Sequence, residues 1–357
     1  MQPELLQLSP SLPFRLGGAG HEPMFAGFVG PHLLTAAVSG SYFASPSAGQ
    51  IVKLIEQIAT MDTPILLVLA NYTGDRLNFG LAKEQLAMKG YHNIELFVFG
   101  DDLAPFLTNT NNEDVGAKRR GLAGITLIHK IAGVLSERGK SLCEIQNSLS
   151  QFSKLIFTIS ISLSAADIPG HGASFQLEPD SMELGLGVHG ESGVKRVNLL
   201  SAADTIDMML VELVNYLNKQ NLLEQYNNRI VLLVNNLGGL TQIETNVILK
   251  EVVEQMRAKS ITIERIYWGP YMTSFNMKGV SLSVMLINEQ LLDILDEADR
   301  NAFVTNTIND NFIYKSNLAN ANQDSSINSH QLFKHCTPSL YKEILSNACN
   351  SIVSHFK

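Results

Sequence analysis

The sequence predicts an α/β protein, with two α/β domains whose mixed sheets are flanked by helices. Three observations carry that expectation. Short β-rich apolar runs alternate with longer stretches of helical periodicity. The alternation occurs twice, with a break near residues 140–155. The 357 residues are 45% hydrophobic and 17% charged, an ordinary globular balance, and this length accommodates about two domains of ~150 residues, each able to bury its own core.

In chain order, the residues ahead of Gly17 include Pro3, Pro10 and Pro13, a residue type that disfavours a central strand. The N-terminal half therefore reads as abbreviated. Ile65–Leu69 (ILLVL) is a buried strand, Lys83–Lys89 a helix and Ile94–Phe99 a second strand. Residues 121–138 repeat apolar side chains at helical spacing, and Ser141–Leu155 is helical as well. Strands follow at Ile156–Leu163, Ile230–Val234 (IVLLV), Ile261–Trp268 and Ser281–Ile287, with a helix through Ile243–Ala258. The first half is drawn at 1–145 and the second at 146–300. Residues 301–333, with NTINDNF and NLANANQDSSINS, have the composition of a linker. Within 334–357, Pro338–Phe356 turns helical again. A lone helix has nothing to bury its apolar face against, so it reads as the opening of a further domain.

Composition excludes several functions. The net charge is −8, from 26 Lys+Arg against 34 Asp+Glu, with no basic run to grip nucleic acid. Cys143, Cys336 and Cys349 match no zinc or redox spacing, and so sparse a count fits a reducing compartment. The start MQPELLQLSPSLPF lacks the cationic and apolar parts of a secretory signal. No uninterrupted apolar stretch reaches the ~18 residues a membrane span needs. The expected location is cytoplasmic, with no membrane partner.

Three strings are candidates for chemistry. Gly17-Gly18-Ala19-Gly20-His21-Glu22-Pro23 is a glycine loop ending in a histidine. It is a tight turn with an exposed histidine, the commoner use, or a loop whose backbone approaches a ligand. Asn71-Tyr72-Thr73-Gly74-Asp75 follows a buried strand, where α/β sheets open ligand crevices. Asp75 there is a general base or hydroxyl ligand, or else caps a helix after an ordinary turn. In Glu183-Leu184-Gly185-Leu186-Gly187-Val188-His189-Gly190-Glu191, glycines clear space around His189. That imidazole is a nucleophile or a structural histidine; no partners stand at zinc spacing, so metal is discounted. Asn235-Asn236-Leu237-Gly238-Gly239 is a second crevice or a simple loop. Ser45-Pro46-Ser47 and Gly269-Pro270 are further turn strings, and Arg119-Arg120-Gly121 reads as an anion site or, the commoner use of adjacent arginines at a helix start, a solvated or inter-subunit contact.

Taken together, GGAGHEPMFAGFVG, ASPSAGQI, NYTGDRLNFGLA, RRGLAGITLIHKIAG, MELGLGVHGESG, VNNLGGL and MTSFNMKGVSLSVML resemble the dihydroxyacetone kinase family, specifically its ketose-binding K domain. They stand in the family's order over roughly residues 15–295. The resemblance implies two α/β domains, usually in a homodimer. It implies that His189 adds to a ketone carbon as a covalent hemiaminal, separating ketones from polyols by chemistry. His21 would act beside the carbonyl as acid or base, and Asp75 would take the proton of the hydroxyl that attacks phosphorus. Gly18, Ala19, Gly20 and Ala70 stand at substrate-lining positions. ATP and Mg²⁺ would be bound by an L domain on another chain, with no cofactor or metal held here. Ala70 stands where the family usually has lysine and Ala19 where it has serine; both remove donors. Lys334–Phe356 resembles only the L domain's opening helix. The expected function is phosphorylation of dihydroxyacetone or glyceraldehyde, this chain supplying the ketose-binding half. The alternatives are a non-catalytic ketose-binding or regulatory protein, or an inactive truncated product.

Overall fold

The computed structural model describes residues 12–108, 119–297 and 307–308. In the N-terminal half, β1 (Leu12–Ala19), β2 (Ala36–Tyr42), α1 (Ala48–Ile58), β3 (Ile65–Ala70), α2 (Thr73–Met88) and β4 (Ile94–Phe99) build one layer of sheet and one of helix. The strand order is β2-β1-β3-β4 and every pairing is parallel. Parallel neighbours need long crossovers: α1 lies in the connection into β3 and α2 in that into β4, while residues 20–35 join β1 to β2 with only a 3-10 turn. All six residues of β3 are buried, as an unbroken apolar run requires. Phe14, Ile51, Ile55, Leu67, Phe79 and Leu86 form the core between sheet and helices.

Two expectations for this half are corrected. Pro13 lies in a central strand, because β1 sits between β2 and β3. Its carbonyl accepts from Thr35 N–H at 2.8 Å, and pairing with β2 begins only at Phe14↔Ala36. The missing proline donor thus falls ahead of that ladder. The helix expected from Lys83 begins at Thr73, since Phe79, Ala82 and Leu86 give its buried face a helical spacing. Asp75 lies in its first turn; Tyr72 is the N-cap residue.

Helices α3 (Ala104–Thr108), α4 (Ile125–Glu137) and α5 (Leu142–Phe152) follow. Every residue of α4 from Ile125 to Ser136 is buried. Ser141 and Glu144 form a reciprocal capping box at the start of α5.

The second sheet contains β5 (Ile156–Ser162), β8 (Ser181–Leu184), β9 (Lys195–Asn198), β10 (Arg229–Asn236), β11 (Thr262–Gly269), β12 (Gly279–Leu286) and β13 (Thr307–Ile308). A small hairpin, β6 (Asp167–Ile168) with β7 (Gly172–Ala173), precedes β8. Helices α6 (Ala202–Lys219), α7 (Leu222–Gln225), α8 (Gln242–Ala258) and α9 (Glu289–Leu295) complete the half. The order is β13-β11-β10-β12-β5-β8-β9. Only β10–β11 is parallel, so this sheet is mixed while the first is not. The described residues up to Ile308 form one compact unit. Thr307–Ile308, inside the segment read as a linker, pair with β11. The rest of 301–333 and all of 334–357 lie outside the described residues. No described helix is long and apolar enough to cross a membrane.

Candidate functional site

The loop after β1 and the loop after β8 meet at one cavity of about 310 Å³, at the small end of the range for small-molecule sites. Gly17, Gly18, His21, Phe43, Ser45, Ala70, Tyr72, Asp75 and His189 are among its lining residues. Three histidine- or aspartate-bearing strings, far apart in sequence, thus converge. Ala19 and Gly20 are not among the lining residues. The Gly20 N–H donates to the Glu22 carboxylate, 3.1 Å from both oxygens.

His21 is held by backbone. Its Nδ1 lies 2.7 Å from the Thr273 carbonyl oxygen, and its ring stacks on Phe43 at 5.0 Å. The Thr273 segment is tied down by Asn235. That side-chain oxygen accepts from Tyr271 N–H and Met272 N–H at 2.8 and 2.9 Å, while its nitrogen donates to the Met272 carbonyl at 2.8 Å. Asn235 thus braces a neighbouring loop, while the Asn236 side chain donates to the Leu240 carbonyl at 2.7 Å and to the Thr245 hydroxyl at 3.0 Å.

His189 lies in a turn beyond β8, held by a carboxylate. Its Nδ1 is 2.8 Å from Glu191 Oε1, and its backbone N–H donates to Glu191 Oε2 at 2.9 Å. The carbonyls of the turn are caught one by one: Gly185 by Arg120 at 2.7 Å, Leu186 by the Ser160 hydroxyl at 2.5 Å, and Val188 by the Ser274 hydroxyl at 2.5 Å. Gly187 permits this closeness. A Cβ there would stand 2.1 Å from Glu191 Oε2 and 2.7 Å from Arg120 Nη1. Burial pushes the Glu191 carboxyl up, but the hydrogen bonds and charge of His189 outweigh it and hold the group down at about 2.

The two imidazoles touch: His21 Nε2 and His189 Nε2 are 3.1 Å apart. Tyr72 sets its ring edge-on to His189 at 4.8 Å. Burial, then the negative charge of Glu191, raise the Tyr72 phenol well above its ordinary value, so it stays protonated.

Arg119 and Arg120 are half-buried and engaged within the chain, so the solvated alternative does not hold. Arg120 donates to Asp102 Oδ2 at 2.6 Å, with its side chain 16% exposed against 0% for Asp102. Arg119 donates to the Ile156 carbonyl at 2.7 Å and lies over the Phe157 ring. Asp101, beside them, is pushed up to about 6 by burial, against the hydrogen bonds from the Thr158 hydroxyl and Leu122 N–H. Sequence reasoning gave no role to Glu191, Tyr72 or Thr273. The only available signal for Glu191 was its place two residues beyond His189; for Thr273 there was none. Among the described residues, no group of three or more His, Cys, Asp or Glu side chains could hold a metal ion.

Fold and cavity together define a small-molecule site built between two α/β halves, with paired imidazoles on its wall. Residues 14–303 match the Dak1 domain, and the chain belongs to that family. It is 40% identical over 281 residues to triokinase/FMN cyclase of Homo sapiens, covering 78% of this chain and 48% of that protein. Against dihydroxyacetone kinase of Citrobacter freundii it is 36% identical over 280 residues, covering 77% and 47%. The chain thus spans about half the length of the curated relatives it matches. Among solved structures, a dihydroxyacetone kinase operon co-activator superposes with a TM-score of 0.74 at 28% identity, over 83% of this chain and 87% of that one. The C. freundii kinase in complex with AMP-PNP and Mg²⁺ superposes with a TM-score of 0.70 at 32% identity, over 82% and 51%.

Proposed function

We propose that this chain captures a triose ketone such as dihydroxyacetone covalently on His189 and presents it for phosphorylation by a nucleotide-carrying L domain on another chain. The observation that carries the reading is the Nε2–Nε2 contact between His21 and His189 on the wall of the cavity that Asp75 also lines. A nucleophile and an acid–base group must stand within hydrogen-bond reach of one another and of the reacting carbonyl. In this reading His189 adds to the ketone carbon, and His21 exchanges a proton with its oxygen. Asp75 accepts the proton of the hydroxyl that attacks phosphorus. A polyol has no carbonyl to accept the imidazole and is left unbound. The chain works as a homodimer in a reducing, cytoplasmic setting. Glyceraldehyde, an aldehyde of the same size, is the competing substrate.

A second reading is favoured by one observation. The co-activator that superposes with this chain does so over nearly its whole length. In that reading the chain holds ketose and transfers nothing. Ala70, which lines the cavity without a polar group, agrees with either.

Carbon NMR with dihydroxyacetone labelled at the carbonyl tests capture directly. The expected result is loss of the ketone signal and gain of a tetrahedral carbon on the wild-type chain, and neither on His189→Ala. Unchanged ketone signal at saturating protein would end the proposal. Turnover on adding ATP, Mg²⁺ and a separately produced L domain selects the kinase reading; capture without turnover selects the binding protein.

A further inference from the structure

We propose that His21 and His189 share a single proton between their Nε2 atoms, and that Glu191 is the positioning residue that makes His189, rather than His21, the ring that forms the bond. The proposal rests on the ketone-capture reading for its chemistry, but its first premise is independent of any ligand.

That premise is a count of protons. The Thr273 carbonyl can only accept, so His21 Nδ1, 2.7 Å away, carries a hydrogen. Glu191 is a carboxylate, its carboxyl held at about 2, so His189 Nδ1, 2.8 Å from it, carries a hydrogen too. A neutral imidazole has one N–H. Were both rings neutral, two bare lone pairs would face each other across the 3.1 Å contact. One further proton turns that clash into a hydrogen bond. The pair therefore carries one positive charge, with the Glu191 carboxylate against it. Charged and titratable groups near the pair include Asp75 on the cavity wall, Arg120 against Gly187, the Glu22 carboxylate on the Gly20 N–H, and the Tyr72 phenol, which burial keeps protonated. Arg120 is neutralised by Asp102.

Capture then balances without any outside acid. The carboxylate favours the shared proton on His189 at rest, and capture starts from the tautomer in which that proton has moved to His21 Nε2, leaving the lone pair on His189 Nε2. That lone pair forms the N–C bond as the carbonyl π pair moves to oxygen. The His21 proton goes to that oxygen, giving the hydroxyl of the adduct. His21 ends neutral. His189, now substituted at Nε2 and still protonated at Nδ1, ends as the cation. The positive charge has moved one ring over, against the Glu191 carboxylate. Capture through His21 would instead leave the cation against the neutral Thr273 carbonyl, so the adduct is more stable on His189. A second proton, at low pH, removes the nucleophile; loss of the shared proton, at high pH, removes the acid. Capture should pass through a maximum with pH.

The test uses the full chain labelled with ¹⁵N-histidine, with His21→Ala and His189→Ala for assignment. Without ligand, both Nδ1 atoms should be protonated and the two Nε2 resonances should respond together to one proton. With carbonyl-labelled dihydroxyacetone, adduct formation should rise and then fall with pH. Glu191→Gln should weaken the adduct roughly ten- to a hundredfold, the scale of a hydrogen bond to a charged group. It should also distort the pH profile, and Glu191→Asp should restore part of both. The wild-type spectrum needs no variant to fold. Both Nε2 atoms bare at a pH where the chain captures ketone, or a Glu191→Gln chain that folds and captures as the wild type does, would overturn the proposal. A shared proton in a chain that never forms the adduct would uphold the pairing and overturn the ketone reading instead.

Discussion

His21 and His189 come from different halves of the molecule and are held by different kinds of acceptor. The N-terminal ring bonds to a main-chain carbonyl that Asn235 and its loop keep in place. The C-terminal ring bonds to a carboxylate, in a turn whose Gly185 carbonyl accepts from Arg120, itself paired with Asp102. A neutral acceptor fixes a ring's orientation and tautomer. A carboxylate does that and also favours positive charge on the ring. The difference teaches which ring suits a covalent bond that leaves it cationic.

The largest expected effect separates the two rings. His189→Ala should remove the adduct altogether, whereas His21→Ala should leave an adduct that forms about 10²- to 10⁴-fold more slowly, the usual range for loss of an acid–base group. Time-resolved carbon NMR distinguishes them, and equal defects would break the comparison. Asp75→Asn should lower phosphoryl transfer with a supplied L domain by a similar ~10²–10⁴, while capture, read in the same NMR experiment, stays intact.

The next effects are on stability and sharpen the contrast between the braced half and its surroundings. Arg120→Ala leaves the buried Asp102 carboxylate without its partner, and should cost about 3–5 kcal/mol in urea unfolding. Asp101 acts in the opposite sense to Glu191. Its carboxyl is raised in the folded chain from 3.8 to about 6. Between those values the folded state binds more protons than the unfolded one. Its contribution is therefore full below the lower value and is lost as pH rises through the upper one, by roughly 3 kcal/mol. Unfolding midpoints from pH 4 to 7 should fall less steeply for Asp101→Asn than for the wild type.

Much of the fold was legible. Ile65–Ala70 and Arg229–Asn236 are strands because continuous apolar runs can be buried on both faces of a sheet, while Ile94–Phe99 is a strand with one more exposed face. β1 was missed because a strand with proline at its start reads as a loop until its neighbour's register is known. Helix α2 was placed ten residues late, from Lys83 in place of Thr73, because its first turns carry Gly74, Asn78 and Gly80, which weaken the periodic signal. Of the site, His21, Asp75 and His189 stood out because glycine or turn residues surround each. Arg120 did not, since a charged pair at a helix start is ordinarily wet.

What the sequence settled by itself was local: which runs are strands, which loops are too short of side chains to be packing, and which family those strings belong to. The direction in which Nδ1 of each ring points, the carboxylate behind one and the carbonyl behind the other, were decided only by tertiary structure. Thr273 is 252 residues from His21 along the chain. No local pattern encodes a contact that exists only when two sheets bring their loops together.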